Sequence, residues 1–478
     1  MLKKIIKNEW RNLFAERSFF ILAAAFSVLL IYGIVNASNW LAERSNQTQT
    51  LTDGHEKNLA EKQEKVRQGV KASTDPKNPQ PDPGDPFEIG MNLHYAVLPF
   101  LSSTVFSIGQ SDVLPNSAGI AISTLQRTEA DKEGFENPLT FLSGRFDLSF
   151  VVVYLLPLFV LALSFNLLSG ERETGTLQLL LSNPVTLKSL LTAKFLAQIS
   201  LILGVVLSVA TVTLLLTANV SQDNLIARFL LWFLLVSVYS AFWFSVAVFI
   251  NSFGFSSATN AVIASATWLI PVLILPTLLN VAIAAIYPVP PRNEVVSAIR
   301  NVKLDMRRDG EKLLSEFYQD HPEMIPKDGK TDTKDFGLAF VYVQREQKKK
   351  VQEIENRFAE QLAKQQNLVK TLRFISPAII TQEAINDIAG TGLERYTNFR
   401  NQAKEFDRTW DEYFTQRIFR NEILTADEFD RVPRFKFNEE PLVNTFNRTL
   451  YGILFLIIIT AALFYLSFGK LKNYRLEK

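Results

Sequence analysis

Few residues in this chain are equipped for bond chemistry. No cysteine occurs among its 478 residues, which removes thiolate metal sites, disulfides and cysteine nucleophiles together. The histidines, His55, His94 and His321, lie far apart with no second histidine at ligand spacing, so they are expected to be surface or packing residues rather than metal ligands. Asp328-Gly329-Lys330-Thr331 has the Gly-Lys-Thr end of a phosphate loop, but Met324 stands where the first glycine belongs. Neither H-E-x-x-H nor G-x-S-x-G occurs. What remains is a charge triplet. In "SFNLLSGERETGTLQLLLSNP", residues 164–184, an apolar run ends at Leu168, and Glu171-Arg172-Glu173 follow at once. Thr174-Gly175-Thr176 and a second apolar segment come next.

Negative charge at 171 and 173 favours the positive end of a helix carrying "TLQLLL". Gly170 permits a chain reversal before it, Asn183-Pro184 stops it, and Thr186 can cap the next helix. The expected element, within 169–189, is a short helix nearly parallel to a membrane face, apolar beneath and charged at one end. The residues leave two readings open. It receives a push from a soluble partner, or it is a capped connecting helix with no partner.

The membrane enters through segregation of composition. The chain is 47% hydrophobic and 21% charged, yet some stretches of about twenty residues, enough to cross a bilayer, carry almost no charge. Six spans are expected, at 19–36, 148–168, 190–216, 227–250, 258–287 and 450–468. Pro157 in the second and Pro271 and Pro276 in the fifth should bend or break their helices and give them flexibility. Intramembrane charge, the usual marker of proton or ion paths, is nearly absent, which argues against a proton-coupled transporter. Arg228 is expected at a span end, reaching the interface. Lys+Arg number 50 against 48 Asp+Glu, so no bulk charge argues for nucleic acid.

Basic residues near the span ends set orientation. Lys3, Lys4, Lys7, Arg11 and Arg17 precede the first span, Lys470, Lys472, Arg475 and Lys478 follow the last, and Arg172 and Lys188 flank the triplet loop. All three regions are expected on the cytoplasmic side, with the tail at 469–478. Residues 1–18 place Leu2, Ile5, Ile6, Trp10, Leu13 and Phe14 at helical spacing, an uncleaved amphipathic interfacial helix rather than a signal peptide. Two insertions, 37–147 and 288–447, then face outward. The first holds a polar helical stretch, "LAEKQEKVRQGVKA", and the proline-rich linker "STDPKNPQPDPGDP". Residues 87–110 follow, apolar but broken by Gly90, Pro99 and Gly109, a buried exterior or re-entrant piece rather than a seventh span. In the second, Val351, Ile354, Phe358, Leu362, Val369 and Leu372 mark one amphipathic helix. Tyr396, Phe399, Ala403, Phe406, Trp410 and Phe414 mark another. Joined by "ISPAIITQEAINDIAGTG", they predict a helical hairpin packed aromatic face to face. The fold class is an all-α polytopic membrane protein.

"GERETGTLQLLLSNPVTLKSLLTAKFLAQ" resembles the E-R-E-x-G-T-L segment of bacterial ABC-2-type permeases, and the span plan is similar throughout. "FISPAIITQEAINDIAGTG" followed by "RYTNF" resembles an element of the subgroup with large exterior insertions between spans one and two and between five and six. The resemblance implies that Glu171, Arg172, Glu173, Gly175, Thr176 and Leu177 lie in a coupling element docking on a separate ATP-binding subunit. It also implies that ATP and Mg belong to that partner rather than to this chain, that this chain is not itself an enzyme, and that a second permease subunit, identical or paralogous, completes the transporter in a bacterial cytoplasmic (inner) membrane. Charge reversal at Glu171 and Glu173 is then expected to uncouple the ATPase without unfolding the spans. The competing expectation is a membrane-anchored structural or sensor protein with no transported substrate. A permease that performs mechanical work on an exterior process lies between the two.

Overall fold

The computed structural model describes residues 2–73, 80–112, 114–122, 146–182, 185–217, 224–290, 292–308, 333–420 and 422–473, with positions 312, 315 and 319. Asn183-Pro184, Met324 with 328–331, His321, 123–145, residues 74–79 of the proline-rich linker, and Arg475 and Lys478 lie outside them. Six helices are long and apolar enough to cross a membrane: Arg17–Arg67, Leu148–Glu173, Leu187–Leu216, Leu225–Asn251, Ser257–Ile286 and Leu442–Lys470, spans one to six below. At 1.5 Å per residue each exceeds the hydrocarbon thickness of about 30 Å.

Spans two and four form the centre. The chain itself buries 61% and 67% of their apolar windows, against 11% for span five, which stands at the edge. Helices in a bilayer associate by close packing and hydrogen bonds rather than by leaving water, and the aromatic residues of span four supply that packing. Trp232, Tyr239, Trp243 and Phe244 are fully buried there, and Phe26 of span one stacks on Phe159 of span two at 4.6 Å. Helix α1, Leu2–Ala15, docks on span three through a hydrogen bond from Trp10 Nε1 to the Ala197 carbonyl, 3.1 Å.

The expected boundary at residue 37 is not an element boundary. Nothing in "NASNWLAERSNQTQT" breaks a helix, and span one continues unbroken to Arg67, 51 residues in all. The first insertion goes on with α2, Pro86–Met91, a two-stranded antiparallel sheet of β1, His94–Val97, and β2, Ser117–Ile120, and a 3₁₀ turn, Ser102–Phe106. This sheet is an addition to the all-α class. Residues 87–110 thus hold no continuous helix long and apolar enough to cross a membrane. Their Phe106 stacks on Trp232 at 5.5 Å, closing the insertion end of span four.

The second insertion is helical: α4, Arg292–Arg308; α5, Thr333–Leu372; α6, Pro377–Ala389; α7, Leu393–Arg420. Its packing departs from a face-to-face hairpin. The stripe of α7 (Phe399, Ala403, Phe406, Trp410 and Phe414) is buried against Leu59, Ile89, Ala96 and Ile120 from the first insertion. Helix α5 lies chiefly along α4 and meets α7 at a few points. The segment expected to join the hairpin, α6, is a wedge in the span core, with Ala378, Ile380, Ala384, Ile385, Ile388 and Ala389 all in the cluster formed by spans two and four. Thirteen apolar-rich residues are too few to cross a bilayer but suit a half-depth insertion among helices. Gly452 of span six permits the approach, since a Cβ there would lie 2.8 Å from Ile380 Cγ2.

One further expectation changes. Arg228 does not reach the interface. It is 4% exposed and donates from Nη1 to the Ile388 carbonyl, 2.7 Å away, where a cation favours the C-terminal end of α6. His55 and His94, distant in sequence, meet edge to face with ring centroids 4.1 Å apart in the core shared by the insertions.

Candidate functional site

The triplet closes the end of span two, a position set by where the apolar run stops. Leu148–Glu173 is helical except for a turn at 165–168, and Thr174 and Gly175 end it. Gly170 lies inside the helix, so the expected reversal there does not occur. The break falls at Gly175, whose φ of 76° lies in the left-handed region that glycine alone adopts at little cost. The Thr174 hydroxyl donates to the Gly170 carbonyl at 3.0 Å and that of Thr176 to the Glu171 carbonyl at 3.2 Å, satisfying carbonyls left over at the helix end. Helix α3, Thr176–Leu181, follows. The Thr186 Oγ1 accepts from the Ser189 amide at 3.2 Å, as a cap of span three should.

Each charge of the triplet touches a different element. Glu171 Oε1 lies 2.8 Å from Lys194 Nζ of span three, and Glu9 Oε1 of α1 lies 3.4 Å from the same nitrogen. Burial pushes the Glu9 carboxyl above its usual range, against the opposing pull of Lys194 and with a further rise from Glu171. Arg172 donates to the carbonyls of Gly254, 2.6 Å, and Phe255, 2.9 Å, in the turn between spans four and five. Glu173 Oε1 accepts from the Ser257 amide at 2.7 Å, placing a carboxylate on the first turn of span five. Negative charge therefore serves a helix N-terminus as expected, but that of span five rather than of α3. These contacts also mean that charge reversal at 171 or 173 would disturb span packing, contrary to the expectation above.

A polar knot lies just beneath. Asn251 of span four donates to the Ser164 and Phe165 carbonyls and accepts from the Leu168 amide, while Asn260 of span five reaches Ser169 Oγ at 3.2 Å and Asn251 Oδ1 at 3.3 Å. Sequence reasoning missed Asn251, Asn260, Ser169, Lys194 and Ser257. Their signal was available as single polar residues at the ends of apolar runs. Spans two, three, four and five are thereby joined at one end. The surface offered outward is small. Leu177 is 1% exposed and anchors α3 in the core, whereas Leu179 is 70% exposed, beside exposed Thr176 and Gln178.

The prolines read as flexible coincide with π-helical turns. Val151–Leu155 precedes Pro157, and Ile270–Ile274 contains Pro271 and precedes Pro276. In span two the carbonyl of Val153, which Pro157 cannot serve, accepts from the Tyr239 hydroxyl at 2.9 Å. The next carbonyl, Tyr154, accepts from Trp268 Nε1 at 3.1 Å. No group of three or more ligating side chains is found among the described residues.

Residues 292–438 match a domain of unknown function (DUF3526), which covers α4 to α7. No curated protein matches the chain. Residues 113–272, which hold spans two to four, the triplet and the first half of span five, match the family described as ABC-2 family transporter protein. With six apolar helices around and within it, this ABC-2 family segment supports an ABC-2-type permease.

Proposed function

We propose that this chain is the membrane subunit of an ATP-driven ABC-2-type exporter, working with a separate ATP-binding subunit and a second permease subunit, identical or paralogous, in a bacterial cytoplasmic membrane. Both termini and the triplet face the cytoplasm and both insertions face outward, on the distribution of lysine and arginine at the span ends. ATP and Mg belong to the partner.

The observation that carries this reading is the three-way attachment of Glu171 to span three, of Arg172 to the turn between spans four and five, and of Glu173 to span five. A push delivered to α3 through Leu179, Thr176 and Gln178 reaches every one of those spans through short polar contacts. Glu171, Arg172 and Glu173 act as transmitting residues behind the docking surface, Gly175 sets its angle, and Leu177 holds it to the core. Work on an exterior process is favoured as the output over simple passage of a substrate by one feature. Helix α6 of the second insertion is seated among the moving spans, so span motion is motion of the insertion.

The test is a mild-detergent pull-down of this chain expressed with its neighbouring genes, followed by an ATPase assay. A complex that is lost with Leu179→Asp while the chain stays folded supports the reading. A chain that purifies alone and stimulates no neighbouring ATPase turns it instead into an anchored sensor or scaffold.

A further inference from the structure

The π-helical turn of span five contains a carbonyl that its own helix cannot satisfy. In the π turn Ile270–Ile274 the Leu275 amide bonds the Ile270 carbonyl, so it is diverted from Pro271, its partner in a regular α-helix. The next donor that could serve the Pro271 carbonyl, five residues on, is position 276, a proline without an N–H. Ser376 fills the gap from another part of the chain, donating from Oγ to the Pro271 carbonyl at 2.6 Å.

Ser376 is itself held in place. It is fully buried, and its Oγ accepts from the Ile379 amide at 3.4 Å as the cap of α6. The far end of α6 is tied by Arg228 to the Ile388 carbonyl and by Ser103 to the Ala389 carbonyl. Asn386 accepts from Ser107 at 2.7 Å, and Gln382 donates to Ser149 of span two at 3.1 Å. The hydroxyl is therefore a fixed donor carried by the second insertion, whereas the π-helical turn of span two is served by Tyr239 and Trp268 from within the bundle.

We propose that Ser376 is a positioning residue that fixes the π-helical turn of span five, so that the angle of this span and the position of the second insertion vary together. The inference rests on the permease reading only for its consequence in the transport cycle. The contact itself stands without that reading.

The absence of native cysteine allows a clean test. Spin labels at Leu278→Cys, on the exposed face of span five beyond the π-helical turn, and Arg400→Cys, exposed on α7, report one distance in the full chain in lipid nanodiscs. Wild type and Ser376→Thr, which keeps the hydroxyl, should give the same narrow distance peak, and Ser376→Ala should lose it. Pro276→Ala restores an N–H in register with the Pro271 carbonyl, so Ser376→Ala/Pro276→Ala should regain a narrow peak. A wild-type peak in Ser376→Ala overturns the proposal, as does loss of the peak in Ser376→Thr. Failure of the double variant to regain it assigns the effect to the cap of α6 instead and overturns it equally. All of this is read without ATP, so a missing ATPase partner would sink the permease reading and leave these outcomes standing. With the partner bound, ATP should shift the wild-type distance, and Ser376→Ala should lose that shift while hydrolysis continues.

Discussion

Lys194 of span three holds Glu171 of span two at 2.8 Å, with side-chain exposures of only 9% and 19%. Removing the lysine leaves Glu171 and Glu9 facing one another without a counter-charge. Breaking a buried pair in this way costs on the order of 3–5 kcal/mol. Lys194→Ala should lower the thermal unfolding temperature of the purified chain clearly, and Glu171→Gln should lower it less, because Glu9 still balances the lysine. Equal melting of Lys194→Ala and wild type would show that the triad holds nothing.

Leu177 and Leu179, two residues apart, should separate stability from docking. Leu177→Ala empties a core position and should cost about 2–5 kcal/mol. Leu179→Asp alters an exposed side chain and should change stability by no more than roughly 0.5 kcal/mol, yet abolish co-purification with the ATPase. Scanning fluorimetry and a pull-down on the same two variants decide this. A Leu179→Asp chain that still brings down the ATPase removes α3 from the interface.

Acid should loosen the joint between the two insertions. Burial, aided by His55 and Arg434, holds the His94 imidazole down to about 3 from its ordinary 6.5. A depressed histidine stays neutral when folded and takes up a proton when unfolded. Its contribution is therefore complete above 6.5 and is lost progressively as pH falls from there toward 3, at about 1.4 kcal/mol per unit. Amide exchange in residues 396–414, corrected for intrinsic rate, should accelerate between about pH 7 and pH 5 in the wild type. His94→Phe should flatten that dependence. If the two profiles coincide, this histidine is not the origin.

Tyr239 and Pro157 should couple energetically. The Tyr239 hydroxyl serves the Val153 carbonyl, and losing it leaves a buried acceptor without a donor, a cost of about 1–3 kcal/mol. In a Pro157→Ala background the helix supplies its own N–H, so Tyr239→Phe should cost markedly less. A double-mutant cycle with no coupling would mean that the hydroxyl and the proline act independently.

The spans were legible because a bilayer imposes a length and an apolarity that few other contexts demand. Pro157, Pro271 and Pro276, which lack an N–H, marked where the π-helical turns of spans two and five fall. The triplet stood out as a place, but not its contacts. Lys194, Gly254 and Ser257 follow it by tens of residues, and only packing brings them within hydrogen-bond distance. Helix α6 escaped notice because thirteen residues with Ala378, Ile380, Ala384 and Ile388 read equally as a connector, and its depth is fixed by Gly452 and Arg228, far away in sequence. The His55–His94 pair was hidden for the same reason. Its 39-residue separation carries no periodic signal.

Span one is the longest helix among the described residues. Its 51 residues correspond to about 77 Å at 1.5 Å per residue, so more than half its length stands clear of a hydrocarbon layer of about 30 Å. If it tilts, it would act as a crank. A tilt of about 10° within the bilayer would sweep the distal end through roughly 8 Å, on the geometry of an unbent helix of that length. Gln63, near that end, donates to the Ala426 carbonyl at 2.8 Å, and Glu56 pairs with Arg434 at 3.1 Å, so the sweep is handed directly to the segment following α7. A chain built this way delivers stroke length far from the bilayer, at the cost of force in proportion to the arm.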